Sequence, residues 1–284
     1  MLIAHISDVH LKPEGVLTYD VADTSTALKR AVDHINNLNP LPDVVLATGD
    51  LVDEGALESY DLLSHLLAPL QPPLFIVPGN HDHKPSLRKT FPDHEYLKNP
   101  IKEGENYYIC YAVEEFPVRF IGLDTVTPGK HGGHLGPGRL AWLARTLAER
   151  PEASTIIFMH HPPFASAIGH MDNDGFEGRR ELSNLIEKYP NIDRLLCGHI
   201  HRPLFRRFGG TIAAGCPGIG MQIVLDLRVE APSTFILEPP AIMLHLLANP
   251  WDDDSSLLTY ISVIEETPGQ YGGPHPFFDE VFPK

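Results

Sequence analysis

Apolar residues recur along this chain in two alternating rhythms. LIAHI (2–6), DVVLA (43–47), LFIV (74–77), STIIFM (154–159) and DRLLC (193–197) are short, largely apolar runs, and each predicts a buried strand. Between them the spacing turns helical. Residues 20–38 place Ala27, Leu28, Ala31, Val32, Ile35 and Leu38 on one face. Further helices are expected over 56–68, over 137–149, where Leu140, Leu143 and Leu147 share a face, and over 177–189. Residues 106–113 and 118–123 read as paired strands. Strands alternating with helices predict an α/β layered fold. From about residue 202 the rhythm changes to short strand-like pieces with turns between them: PLFRRF, GTIAAG, QIVLDL, TFILE and AIMLHLL. The final third therefore reads as β-rich, either completing a sheet or reaching outward as a dimerisation element. Residues 265–284, rich in proline and glycine, are expected to be irregular.

Five of these apolar runs stop at a polar cluster. The clusters are Ser7-Asp8-Val9-His10, Gly49-Asp50, Gly79-Asn80-His81-Asp82, His160-His161-Pro162-Pro163 and Gly198-His199-Ile200-His201. Singly, each has an ordinary reading: Asp-x-His and Gly-Asp as turns, Asn80 or Asp82 as a helix cap, His-His-Pro-Pro as a strand terminator. Ligands of α/β sheets bind beyond the carboxyl ends of the strands, so five segments here deliver their side chains to one rim. Their coincidence predicts a metal centre.

The donors are carboxylates, imidazoles and one amide, without a thiolate. That set suits zinc, manganese or iron rather than copper(I) or an iron–sulfur cluster. There are too many donors for one tetrahedral ion. Two ions sharing a carboxylate, roughly 3.5–4 Å apart, fit better. His199 and His201, two apart in an extended segment, are expected to face the same side. His160 and His161, adjacent at a strand end, are expected to point oppositely, which leaves His161 for substrate contact or a structural role. His5 lies within an apolar strand and reads as a core histidine. His131, His134 and His170 fall in loops, either solvated or lining a pocket mouth.

Composition narrows the partners. The net charge of −15 disfavours polynucleotides, which reward clustered Lys and Arg. Cys110, Cys197 and Cys216 form no CxxC pair, which argues against a cysteine zinc site or a disulfide framework. Unpaired thiols, no signal-peptide pattern at the start and no apolar run of membrane-spanning length predict a cytoplasmic protein without a membrane partner.

The order Asp8-x-His10, Gly49-Asp50, Gly79-Asn80-His81-Asp82, His160-His161, Gly198-His199-x-His201 resembles the signature of the calcineurin-like metallophosphoesterases. HISDVHL, FMHHPPF and GRLAWLARTL look closest to the class III cyclic-nucleotide phosphodiesterases and bacterial glycerophosphodiesterases within it. The resemblance covers about residues 1–216 as a catalytic domain. Residues 217–284 remain as a β-rich C-terminal extension that would complete the fold and could dimerise. It implies a four-layer α-β-β-α sandwich. By the same resemblance Asp8, His10, Asp50 and His201 would hold a first metal, with Asp50 bridging. Asn80, His160 and His199 would complete the second, with iron, manganese, zinc or cobalt as the ions. His81 would stand beside the phosphate as an acid, oriented by Asp82. Asn80, His81 and His161 would touch substrate. The implied activity is hydrolysis of small phosphodiesters, cyclic nucleotides or glycerophosphodiesters, by a hydroxide bridging the metals. A phosphomonoesterase or nucleotidase is the alternative. A non-catalytic scaffold is remote, since such a chain should have lost ligands and this one keeps them. A homo-oligomer with its contact in 202–264 is expected. Loops 83–105 and 164–178 depart from the pattern and are where substrate selection should reside.

Overall fold

The computed structural model describes residues 1–247, 257–267 and 269–271. Two sheets carry the fold. The first has five strands in the order Leu258–Val263, Ala241–Leu246, Leu2–Ile6, Val44–Ala47, Leu74–Ile76. The last three are parallel; Ala241–Leu246 runs antiparallel beside Leu2–Ile6. The second has six: Leu204–Phe208, Thr211–Gly215, Ile192–Cys197, Thr155–Met159, Arg119–Leu123, Tyr111–Val113. Its four inner strands are parallel to one another.

The runs VVLA and TIIFM are apolar throughout because both faces of their strands are covered. One core joins Ile3, Ile6 and Val45 of the first sheet to Phe120, Phe158 and Leu196 of the second, and also takes in Leu28 and Leu63 of the helices Thr24–Asn36 and Leu57–Leu67. A second core packs Leu143, Leu147, Leu182 and Ile186 onto Ile121, Ile157 and Leu195. Those four come from the helices Pro137–Glu149 and Arg179–Ile186. Helix, sheet, sheet, helix make the four-layer α-β-β-α sandwich.

Several boundaries differ from the sequence pattern. The first helix starts at Thr24, not 20, because the Asp23 carboxylate caps it by accepting from the Thr26 amide at 3.0 Å. Residues 106–113 are not one strand. Asn106–Tyr108 pairs with Ile101–Glu103, and Tyr111–Val113 pairs with Arg119–Leu123. QIVLDL shrinks to Gln222–Ile223, leaving Leu225 and Leu227 exposed. Leu258–Val263 is a strand that the pattern did not mark. The strand Ala241–Leu246 sits inside the first sheet, so the chain beyond 216 is continuous with the fold there. Of the stretch expected to be irregular, only 265–267 and 269–271 lie within the described residues.

Candidate metal centre

The parallel strands point their carboxyl ends to one edge, and the polar clusters leave from there. The chain leaves strand geometry at once. Asp8, His10, Asp50, His199 and His201 have φ of 54°, 52°, 51°, 69° and 53°. Non-glycine residues held in the left-handed region cost on the order of 1–3 kcal/mol each, and such strain concentrates at functional sites. This changes one expectation. His199 and His201 do not lie in an extended segment. The His199 ring meets His160 and His161 at centroid distances of 5.1 and 4.7 Å, whereas His201 meets His10 at 4.9 Å.

The candidate residues meet. Donor atoms of Asp8, His10 and His201 lie within 4.8 Å of one another, as do those of Asp8, Asp50 and His160, and those of His160, His161 and His199. Asn80 joins them through Oδ1, 3.1 Å from His160 Nε2. Asp50 Oδ2 stands 3.6 Å from His10 Nε2 and 3.2 Å from His160 Nε2, so one carboxylate oxygen faces both halves of the cluster. Backbone amides aim the acids: His81 N–H donates to Asp50 Oδ1 at 2.8 Å, and His199 N–H donates to the Asp8 carboxylate at 3.0 Å.

Donor chemistry shows that a cation fits. His10 Nδ1 lies 3.2 Å from Asp53 Oδ1, and His201 Nδ1 lies 3.0 Å from the Met221 carbonyl. Both partners accept, so each Nδ1 carries the proton. The two Nε2 atoms then face each other as lone pairs at 3.1 Å. Burial lowers both pKa values, that of His201 to about 4, so no added proton separates them at neutral pH. Two nitrogens bonded to one ion at about 2.0–2.1 Å stand roughly this far apart. His160 repeats the pattern, with Nδ1 on the Thr48 carbonyl at 2.7 Å and Nε2 turned inward. Burial would lower the His160 pKa, but the Asp50 and Asp8 carboxylates raise it to about 9. Burial likewise works to raise Asp50, yet the His160 charge holds it well below the usual carboxylate range. Outer partners that fix a histidine tautomer are a regular part of metal sites.

Two expectations change. Asp82 does not orient His81. Its carboxylate accepts from Gly79 N at 2.8 Å, Leu51 N at 3.2 Å and Tyr60 Oη at 3.3 Å, pinning the two loops together. His81 Nδ1 instead meets the Asp53 carbonyl at 2.7 Å. Adjacency misled here, because both residues lie in a turn after the strand. Asp53 went unmarked in the sequence; a fourth acid in a loop of an acidic chain gives no signal of its own. His161 does turn toward the cluster, since the strand ends at Met159 and its alternation no longer applies. Its nitrogens are taken nonetheless: Nδ1 pairs with Thr125 Oγ1 at 2.8 Å and Nε2 with the His131 carbonyl at 2.9 Å. His5 is a buried core residue, paired with Thr48 Oγ1 at 2.9 Å. His131 and His170 line the cavity of about 580 Å³ that opens over the cluster.

The sandwich, the site at its carboxyl edge and the nitrogen–oxygen donor set define a two-sheet α/β protein with a candidate metal centre. Residues 1–203 match the family model of the calcineurin-like phosphoesterases. A probable glycerophosphodiester phosphodiesterase of Arcobacter nitrofigilis is 36% identical over 99% of this chain and 98% of its own length. A 3′,5′-cyclic adenosine monophosphate phosphodiesterase of Pseudomonas aeruginosa is 30% identical over 94% of this chain and 91% of its own. Among solved structures, a dimetal phosphatase from Danio rerio superimposes with a TM-score of 0.64 over 93% of this chain and 99% of its own, at 16% identity. The chain belongs to the calcineurin-like phosphoesterase family.

Proposed function

We propose that this chain hydrolyses small phosphodiesters, glycerophosphodiesters or cyclic nucleotides, at a two-ion site built on Asp8, His10, Asp50, Asn80, His160, His199 and His201. The facing Nε2 lone pairs of His10 and His201, with the Asp8 and Asp50 carboxylates beside them under an open cavity, carry the reading; relatives named for both substrate classes support it. When bound, iron, manganese, zinc or cobalt ions would offset phosphate charge and lower the pKa of water.

The chain's own groups supply the rest. Asn80 offers a neutral oxygen, which leaves more of the ions' charge for the phosphate. His81 stands at the rim, with Nδ1–H given to the Asp53 carbonyl and Nε2 free for an ester oxygen. Burial lowers its pKa, but before any ion binds the Asp50 charge and the Asp53 carbonyl outweigh that and raise it above the ordinary value. A cationic ring there can give its proton to a departing alkoxide, worth about 10²–10⁴ in rate. In a panel of alkyl and nitrophenyl diesters and monoesters, diesters are expected to be the better substrates. His81→Ala should keep its metal and lose most on alkyl leaving groups. Equal losses on alkyl and nitrophenyl esters would remove the acid role, and a preference for monoesters would move the enzyme to the phosphatases.

Leu225, Leu227, Val229, Ile236 and Leu237 are exposed around the hairpin Gln222–Ile223/Phe235–Ile236. So large an apolar arm favours association with a second copy. Leu227→Asp should shift the mass in solution toward monomer; a wild-type monomer at micromolar concentration would end that reading. Cys110, Cys197 and Cys216 are free and buried, which suits a reducing cytoplasm. Among the described residues no helix is long and apolar enough to cross a membrane. Fractionation into an oxidising compartment would contradict the location.

A further inference from the structure

A second cavity, of about 730 Å³, opens on the far side of His81. Among the described residues, Asn80 and His81 are the only ones that line both it and the cavity over the donor cluster. We propose that this second cavity receives one of the two ester groups of an open-chain phosphodiester. The inference rests on the diesterase reading and narrows its substrate class: the site suits diesters with two separate, sizeable substituents.

The argument begins with the shape of the substrate. The phosphate has to reach the donors, and Asn80 and His81 mark where the two cavities join. In a cyclic phosphodiester both ester oxygens belong to one sugar, so the organic part leaves phosphorus in one direction. An open diester sends two groups in divergent directions. One cavity over the donors holds a cyclic substrate. Two cavities meeting at the phosphate position accommodate an open one. The volume lies within the roughly 300–1,000 Å³ usual for small-molecule sites.

The lining indicates what sort of group fits. Pro85, Pro128 and the half-exposed ring of Tyr107 give apolar faces, with Ile109 and Val126 beneath. Lys84 adds little free charge, since its Nζ is committed to Asp124 Oδ2 at 2.7 Å and to the Val126 carbonyl at 3.2 Å; Arg88 donates to the Lys98 carbonyl at 3.1 Å, and its charge is offset by Glu54 and Glu105 in the same lining. Buried Arg139 stacks on Tyr108 and donates to Glu103 at 2.8 Å, which stiffens the strand carrying Tyr107. The occupant is therefore an organic group with an apolar face, not a second anion. Part of the wall, including Pro85, Arg88 and Pro100, comes from 83–105, one of the two loops that depart from the family pattern.

Asn106 and Pro128 are exposed wall residues and touch no candidate donor, so Asn106→Trp and Pro128→Trp fill the cavity from two sides. Either variant should raise KM for bis(para-nitrophenyl) phosphate about tenfold or more. The inhibition constants of inorganic phosphate and cyclic AMP should stay within about twofold, because neither needs the second cavity. Parallel weakening of all three ligands, weakening of cyclic AMP together with the diester, or no change in either variant overturns the proposal. A wild-type enzyme that cleaves no diester fails at the earlier step, and that result is distinct from wild-type turnover without discrimination in the variants.

Discussion

Asp50→Asn should lower kcat/KM on a phosphodiester by about 10³-fold or more and deplete bound metal, while the fold persists. The substitution keeps the size of the side chain and removes its charge. The Asp50 carboxylate faces both halves of the cluster through a single oxygen, with Oδ2 at 3.6 Å from His10 Nε2 and 3.2 Å from His160 Nε2. An amide nitrogen at Oδ2 would have no lone pair to offer either half. An amide oxygen at Oδ1 would still accept from His81 N, as the carboxylate does at 2.8 Å, so the loop has no reason to move. Lost stabilisation of phosphate charge is worth several kcal/mol, and each 1.36 kcal/mol is a factor of ten. Metal analysis and steady-state kinetics on the same preparation decide the matter. Wild-type metal content with activity within tenfold of wild type would falsify the bridging role.

The sequence made the donors legible because strand-end chemistry is local: an apolar run stops, and Asp, Asn or His follows. Asp8, His10, Asp50, Asn80, His160, His199 and His201 could be picked out in that way. What holds them was not legible. Asp53, the Thr48 carbonyl and the Met221 carbonyl fix three imidazoles from distant segments, and two of these partners are backbone atoms without a residue signature. The role assigned to Asp82 went astray because neighbours in sequence diverge in a turn. The fold followed the same rule. Strands buried on both faces announced themselves by composition. Leu258–Val263 did not, because as the outermost strand of its sheet it leaves Tyr260, Ile261 and Val263 in solvent among polar neighbours. Loop 83–105 was recognised only as a departure from pattern; the cavity it walls requires the sheet pairing of Ile101–Glu103 with Asn106–Tyr108.

Gly79→Ala is expected to cost on the order of 10² in activity and to lower thermal stability, although residue 79 carries no donor. A Cβ there would sit 2.2 Å from Asp50 Oδ1 and 2.3 Å from Asp50 N. Opposite it, Gly49 has φ of +91°, and a Cβ on that residue would lie 2.4 Å from Gly79 N. Two glycines thus let the loops leaving neighbouring strands pass in direct contact, and the carboxylate lies between them. Nothing flexible can yield. Asp50 Oδ1 is held by His81 N at 2.8 Å, and the Asp50 carbonyl accepts from His10 N at 2.9 Å. The added methyl therefore displaces a loop, and with it Asp50 or Asn80. A displacement of about 1 Å in a reacting constellation costs roughly 10²-fold, and overpacking costs about 1–3 kcal/mol of stability. The two substitutions separate charge from position. Asp50→Asn adds no atom to the contact; it should lower the melting temperature of the metal-free protein only by breaking the buried Asp50–His160 pair, a loss that shrinks as pH rises through about 9, where His160 gives up its proton. Gly79→Ala should depress the melting temperature with or without metal. If Gly79→Ala melts with wild type and retains both its metal and its rate, the close approach of the two loops is not what places the carboxylate.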